Sequence, residues 1–169
     1  MNYNKINNLL GWLSFIIALV VYTLTLEPTT SFWDSGEFIA SAYKLQVVHQ
    51  PGAPLFLMLG KVFSLIAGND TSRVAFWINM CSALASAATI LFLFWTITAL
   101  AKKVIQEKGK ELSNWGMISI MGSGLVGALA YTFSDSFWFS AVEAEVYALS
   151  SLCTAVVFWA ILKWDQHAD

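Results

Sequence analysis

The sequence predicts an all-α integral membrane protein, and three observations carry that prediction. The 169 residues are 57% hydrophobic and 12% charged, where a soluble domain carries roughly 25% charged residues. Mean hydropathy is +0.63, and eight Trp with twelve Phe suit a bilayer solvent with aromatic belts at its interfaces. Three long apolar runs and a shorter fourth account for most of the chain. About four transmembrane helices follow, with two short interfacial helices in the first outer loop. The formal net charge is only -2, and no basic run or polar arm points to nucleic acid. Cys81 and Cys153 both fall inside apolar runs. They read as small buried residues and carry no information about redox compartment.

The elements follow in order. Leu9 to Leu26 is about 18 residues, near the roughly 20 needed to span a bilayer. It exceeds the core of a signal peptide, about 7–15 residues, and Thr25-Leu26-Glu27-Pro28 offers no small-x-small cleavage site. It therefore reads as a retained anchor. The outer loop, 27–73, opens with Ser35 to Val48, whose spacing is helical. His49-Gln50-Pro51-Gly52-Ala53-Pro54 then breaks any helix. Pro54 to Ala67 is apolar but only about 14 residues long, with Lys61 near its middle, which fits a re-entrant or interfacial helix better than a span. Two short surface helices joined by a rigid turn are predicted. A second span lies near 74–101, tilted or projecting beyond the hydrocarbon core. A third, 115–133, contains Gly116, Gly122, Gly124 and Gly127, which permit close helix contact. The fourth is 146–164. No internal repeat or low-complexity tract is visible.

Four spans place Lys5, the Lys102/Lys103/Lys108/Lys110 loop and Lys163 on one side, and Lys44, Lys61 and Arg73 on the other. The positive-inside rule makes the first group cytoplasmic. The outer side then holds Glu27, Asp34, Glu37, Asp70, Asp135, Glu143 and Glu145. A crossing by Pro54–Ala67 would separate the acidic clusters and translocate the basic loop, so charge argues against it.

The chemistry rests on those two clusters, since carboxylates at a membrane boundary are costly to place. In Trp33-Asp34-Ser35-Gly36-Glu37-Phe38, Asp34 and Glu37 have the i,i+3 spacing that shares a helix face. Two such carboxylates do not both stay fully ionised without a cation or donors nearby, which tunes one toward base strength. The competing reading makes Asp34 or Ser31 a helix cap, with Glu37 merely solvated. Trp33 and Phe38 supply ring faces suited to stacking on a sugar or to membrane anchoring. In the second cluster, Glu143-Ala144-Glu145-Val146-Tyr147, a helix would put Glu143 and Tyr147 on one face and Glu145 opposite. One glutamate then points inward, or the segment is not yet helical. Its competing reading is an acidic first turn favoured by the helix dipole. His49 is a structural group or a hydrogen-bond donor to a phosphate or sugar hydroxyl. Lys44, Lys61 and Arg73 either snorkel to lipid head groups or hold phosphate. The chain has no phosphate-cradling glycine loop, metal-spaced Cys/His set or serine-hydrolase elbow, which argues against soluble nucleotide chemistry.

Three segments in this order, Trp33-Asp34-Ser35-Gly36-Glu37-Phe38, His49-Gln50-Pro51-Gly52-Ala53-Pro54-Leu55 and Val142-Glu143-Ala144-Glu145-Val146-Tyr147-Ala148-Leu149, resemble a bacterial membrane family. That family was formerly a domain of unknown function and is related to an animal transmembrane protein O-mannosyltransferase. The resemblance runs over essentially the whole chain. It implies the N-terminal half of a GT-C glycosyltransferase in the bacterial inner membrane, with a periplasmic active face. Such an enzyme moves a sugar, here mannose, from a polyprenyl-phosphate carrier to a Ser or Thr hydroxyl of a protein. Carried over by motif, Asp34 is the catalytic base with Glu37 beside it, and Glu143 and Glu145 shape the acceptor or donor pocket. Trp33, His49 and Tyr147 join the substrate-binding set, and Lys44 or Arg73 supplies positive charge to the leaving phosphate. Some GT-C enzymes bind a divalent cation with such acids and others do not, so a metal stays open and no other cofactor is implied. The family usually carries a long C-terminal remainder, so the chain reads as the N-terminal part of a longer protein. A transporter with an acidic outer vestibule, or a structural subunit, is the alternative. Against the transporter, Asn79 is the polar group that stands out within the spans.

Overall fold

The computed structural model describes residues 2–106 and 112–165. Lys108 and Lys110 of the predicted cytoplasmic loop, and the chain end 166–169, lie outside the described residues. Within them the protein is helical, and four helices are long and apolar enough to cross a membrane.

Helix α1 (Tyr3–Leu24) starts where the Asn2 side chain accepts from the Lys5 backbone N–H at 3.3 Å. The loop past Glu27 leads to α2 (Ser35–Lys44). This surface helix is shorter than the predicted 35–48, because Leu45 turns left-handed at φ 53 and the Gln46 N–H bonds back to the Ser41 carbonyl at 2.9 Å. A left-handed residue with such a bond is a common way to close a helix. Helix α3 (Pro54–Ser64) has Pro at its first position, where a missing N–H costs nothing. It tightens into a single 3₁₀ turn, Leu65–Ala67, and stops at Gly68, φ 59. The predicted pair of short helices is thus present, with Gly52 at φ 76 in the turn between them.

After a 3₁₀ turn capped by Asp70, α4 (Val74–Ile105) runs for 32 residues. At 1.5 Å per residue that is about 48 Å, well beyond a hydrocarbon core of about 30 Å, in accord with a tilted or projecting span. Ser113 caps α5 (Asn114–Thr132), its hydroxyl accepting from the Gly116 N–H at 3.0 Å. A short helix not foreseen from the sequence, α6 (Asp135–Val142), precedes α7 (Val146–Asp165).

Helix α4 is the common partner: α1, α3, α5, α6 and α7 all pack against it. One core joins α1, α4, α5 and α6 around Tyr22, Ile90, Phe94 and Ala128. The Tyr22 hydroxyl donates to the Thr132 carbonyl at 3.0 Å, and its ring meets Phe137 and Trp138 edge-on. A second core holds α2 and α3 on the start of α4 through Phe38, Ala42, Phe56, Val74 and Ile78, with Ala144 between α6 and α7. Helix α7 is largely exposed, with Ala148 its buried residue. Cys153 on it is exposed and Cys81 buried. This corrects the expectation that both cysteines are buried, because Cys153 borders an open cleft beside α7.

At one end of the bundle the Tyr3 hydroxyl reaches the Thr98 carbonyl, Lys102 lies over the Tyr3 ring, and Lys103 pairs with Asp165. The loop 27–34, α2, α3 and the α6–α7 turn gather at the other. Lys102 and Lys103 thus lie at one end with Asp165, and both acidic motifs lie at the other with Lys44, Lys61 and Arg73, as the four-span reading requires.

Lipid offers helices little hydrophobic incentive to associate, so close approach through small residues decides packing. A Cβ on Gly124 would lie 2.6 Å from Thr98 and 2.8 Å from Phe94, and one on Gly127 would lie 2.6 Å from Ile97. Gly122 has nothing within 4 Å and so takes no part in the predicted contact. Gly124→Val is therefore expected to lower stability by about 1–3 kcal/mol through overpacking, and Gly122→Val to be near neutral. Thermal midpoints of the solubilised proteins check this, and equal midpoints for the two variants would contradict the α4–α5 packing.

Candidate functional site

The site begins where α2 begins. Asp34 sits at the N-cap of α2 but its side chain makes no capping bond, so the helix-cap reading of Asp34 has no support here. Its backbone carbonyl starts the helix by accepting from the Phe38 N–H at 3.0 Å, and its carboxylate faces solvent. One helical turn later, the Glu37 carboxylate takes two bonds from His49, one from the backbone N–H and one to ring Nδ1, both at 2.8 Å. The Pro-Gly turn after His49 brings that residue back against the start of α2. Nδ1 is thereby committed to Glu37, and Nε2 points to Asp34 at 3.8 Å. The imidazole thus links the two carboxylates, and the ring of Phe38 backs it at 6.0 Å.

The second acidic cluster reaches the same place. Between α6 and α7, residues 143–145 are not helical, so the two glutamates diverge without sharing a helix face. Glu145, half-buried, lines a cleft of about 510 Å³ together with Asp34, His49 and Tyr147. Phe38, Phe56, Leu149 and Cys153 supply its apolar wall. Burial, then the charge of Glu143, pushes the Glu145 carboxyl above the usual carboxylate range, with Asp34 adding to the rise.

Glu143 turns inward and is 3% exposed. Burial raises its carboxyl, opposed by a hydrogen bond from the Ser31 side chain. It does not line the cleft. Neither does Trp33, which is 89% exposed at φ 61. Lys44 lies at the far end of α2, and Arg73 pairs with Asp70 at 3.5 Å. The Lys61 ammonium donates to the Tyr43 carbonyl at 2.5 Å and caps the Tyr43 ring. Of the residues predicted for the site, the fold therefore gathers Asp34, Glu37, His49, Glu145 and Tyr147. Trp33, Lys44, Arg73 and Glu143 do not line the cleft. Asn79, which stood out in sequence only as a polar group within a span, ties the loop at Glu27 and Thr29, and Ser31, read as a helix-cap candidate, lies beside Glu143.

Asp34, Glu37 and His49 offer ligand atoms within 4.8 Å of one another. Two carboxylate oxygens and an imidazole nitrogen suit a divalent transition cation. With both Glu37 oxygens bonded to His49, Nε2 and the Asp34 carboxylate are the atoms most open to one.

The hydrogen bond to Glu37, then its charge, raises the His49 pKa above the ordinary value, helped by Asp34 and Glu145. The same contacts from His49 lower Glu37. A raised histidine stabilises the folded site below the ordinary histidine value, and that contribution is lost as pH rises through the raised one. The lowered Glu37 contributes above the ordinary carboxylate value and loses its contribution as pH falls through the lowered one. An NMR titration is expected to place the His49 midpoint above about 6.5, and Glu37→Gln to bring it down. An unchanged midpoint in the variant would mean that the pair does not form.

Comparison with known proteins follows the same segments. The family described as Protein O-mannosyl-transferase TMEM260 N-terminal domain matches residues 34–169. A Dictyostelium discoideum Protein O-mannosyl-transferase tmem260 is 29% identical over 147 residues, covering 87% of this chain and 16% of that protein. A Mus musculus Protein O-mannosyl-transferase TMEM260 is 28% identical over 152 residues, covering 90% of this chain and 19% of that protein. The chain thus spans less than a fifth of these relatives. No solved structure matches it. By a match that takes in the Asp34 motif, the His49 turn and the Glu145 segment alike, this chain belongs to the TMEM260 N-terminal domain family.

Proposed function

We propose that the chain carries the acceptor-activating face of a membrane glycosyltransferase. In this reading the whole protein moves mannose from a polyprenyl-phosphate carrier to a Ser or Thr hydroxyl of a protein acceptor. The reaction lies on the non-cytoplasmic side, which is the periplasmic face in a bacterial inner membrane. The observation that carries the reading is the convergence of Asp34, His49 and Glu145, from three separated segments, on one cleft at the acidic end of the bundle. The names of the relatives agree with it. The apolar wall of Leu149 and Cys153 on the exposed helix α7 suits a donor whose carrier stays in lipid.

Asp34 is the base. Its carboxylate is solvent-facing and free of a capping bond, so a lone pair is available to an acceptor hydroxyl. As Asp34 takes that proton, the acceptor oxygen attacks the anomeric carbon. The bond from that carbon to the phosphate oxygen breaks, and the lipid phosphate leaves with the electron pair. One displacement inverts the anomeric centre. Charge growing on the phosphate calls for a preorganised donor. Among the described residues lining the cleft, His49 is the basic side chain, held by Glu37. It fits that task better than Lys44 or Arg73, which lie outside the cleft.

The test compares wild type and Asp34→Asn in native membranes, using a mannosyl-phosphoprenol donor and a Ser/Thr-containing acceptor. Loss of a positioned general base is expected to cut transfer by about 100-fold or more, with insertion and expression unchanged. Undiminished transfer would move the base to Glu37 or Glu145. No transfer by the wild type would defeat the transferase reading or the choice of donor.

A further inference from the structure

Beneath the segment that delivers Asp34 lie two buried polar groups that the chemistry above does not use. Asn79 is fully buried in the second turn of α4. Its Nδ2 donates to the Glu27 carbonyl at 2.8 Å and to the Thr29 carbonyl at 3.0 Å, while its Oδ1 has no partner. A buried amide costs free energy unless it is bonded. Both Asn79 donor bonds go to the backbone of one loop. Glu143 is the charged side chain buried among the described residues, and it lies beside Ser31 of that same loop. Beside it, the Glu27 N–H donates to the Val142 carbonyl at 3.0 Å.

These ties leave little freedom upstream of Asp34. After Ser31 only Phe32 and Trp33 intervene, both exposed. Downstream, α2 is fixed by the buried Phe38, Ile39 and Ala42.

Resting on the transferase reading, we propose that Asn79 and Glu143 are positioning residues for Asp34. They fix the segment from Glu27 to Asp34 from inside and do not touch substrate. The role differs from the one that the motif resemblance implies for Glu143. In the Glu-Ala-Glu segment the outer member, Glu145, faces the cleft, and the inner member holds the loop.

One arm of the test needs no activity. In the solubilised protein, Asn79→Leu is expected to speed amide exchange in 27–36 by about ten-fold, with α4 and α5 as protected as before. Ser31→Ala, which leaves the core intact, is expected to do the same for 31–36 and serves if Asn79→Leu fails to insert. Unchanged exchange in the segment would overturn the proposal. The second arm reads transfer. Asn79→Leu and Glu143→Ala are expected to lower kcat by about 10- to 100-fold through misplacement, with KM within about two-fold. Glu143→Gln, which keeps the size and a polar end beside Ser31, recovers most of the loss. A raised KM with kcat intact would make Glu143 a substrate contact and sink the proposal. Absence of transfer by the wild type would defeat the transferase reading alone, and the exchange arm would still decide the positioning role.

Discussion

Helix α4 is the post from which the acidic end hangs. In a bilayer every spanning segment must satisfy its own backbone, so helices are given and only their side chains choose neighbours. The first turns of α4 make those choices in quick succession. Val74 and Ile78 receive the buried faces of α2 and α3. Asn79 holds the loop at Glu27 and Thr29. The Ser82 hydroxyl accepts from the Glu145 N–H at 3.5 Å. Three segments distant in sequence meet because each is attached to the same short stretch of one helix. Further along, Ala83, Ala87 and Phe94 receive α1 and α5, and Gly124 allows the approach.

That arrangement gathers like charges. Asp34, Glu37 and Glu145 approach one another where the bilayer ends, and like charges nearby disfavour full ionisation. His49 answers part of the cost by bonding Glu37 and facing Asp34. Glu145 is raised above the usual carboxylate range by burial first and then by the charge of Glu143, with His49 opposing the rise. The result is a set of carboxyl groups in unlike surroundings: Glu37 is lowered by its hydrogen bonds to His49, Asp34 is open to solvent, and Glu145 is raised by burial. Neighbouring acids held apart in this way can divide proton-accepting and binding roles between them. The exposed His49–Glu37 pair adds little to stability as surface pairs go, and its value lies in fixing which imidazole nitrogen faces Asp34.

The four spans were legible because apolar runs of bilayer length match the thickness of the hydrocarbon core and carry almost no charge. The paired surface helices were legible because Pro51, Gly52 and Pro54 punctuate the loop. Both acidic motifs could be marked as chemistry, and their meeting at one end followed from counting spans. Individual side-chain roles were not legible in the same way. Glu143 and Glu145 look equivalent in sequence, yet one turns inward to Ser31 and the other lines the cleft. Lys44 and Arg73 sit in the correct loop but at the wrong ends of their local elements. Trp33, which flanks the acid, projects outward because its backbone turns to positive φ. Helix α6 was too short to read from periodicity, and Cys153 was expected to be buried only because its run is apolar.

By itself the sequence determined the membrane class, the number of spans, the shared end of the two acidic motifs, and the residue types available for proton transfer. These depend on length, hydropathy and charge, which are summed along the chain and need no partner. The tertiary structure decided which carboxylate faces the cleft, which nitrogen of His49 is free, and why a lone asparagine sits in an apolar helix. Those outcomes depend on direction and distance between segments far apart in the chain. Helix faces and loop ties on α4 set such quantities, and no local pattern encodes them.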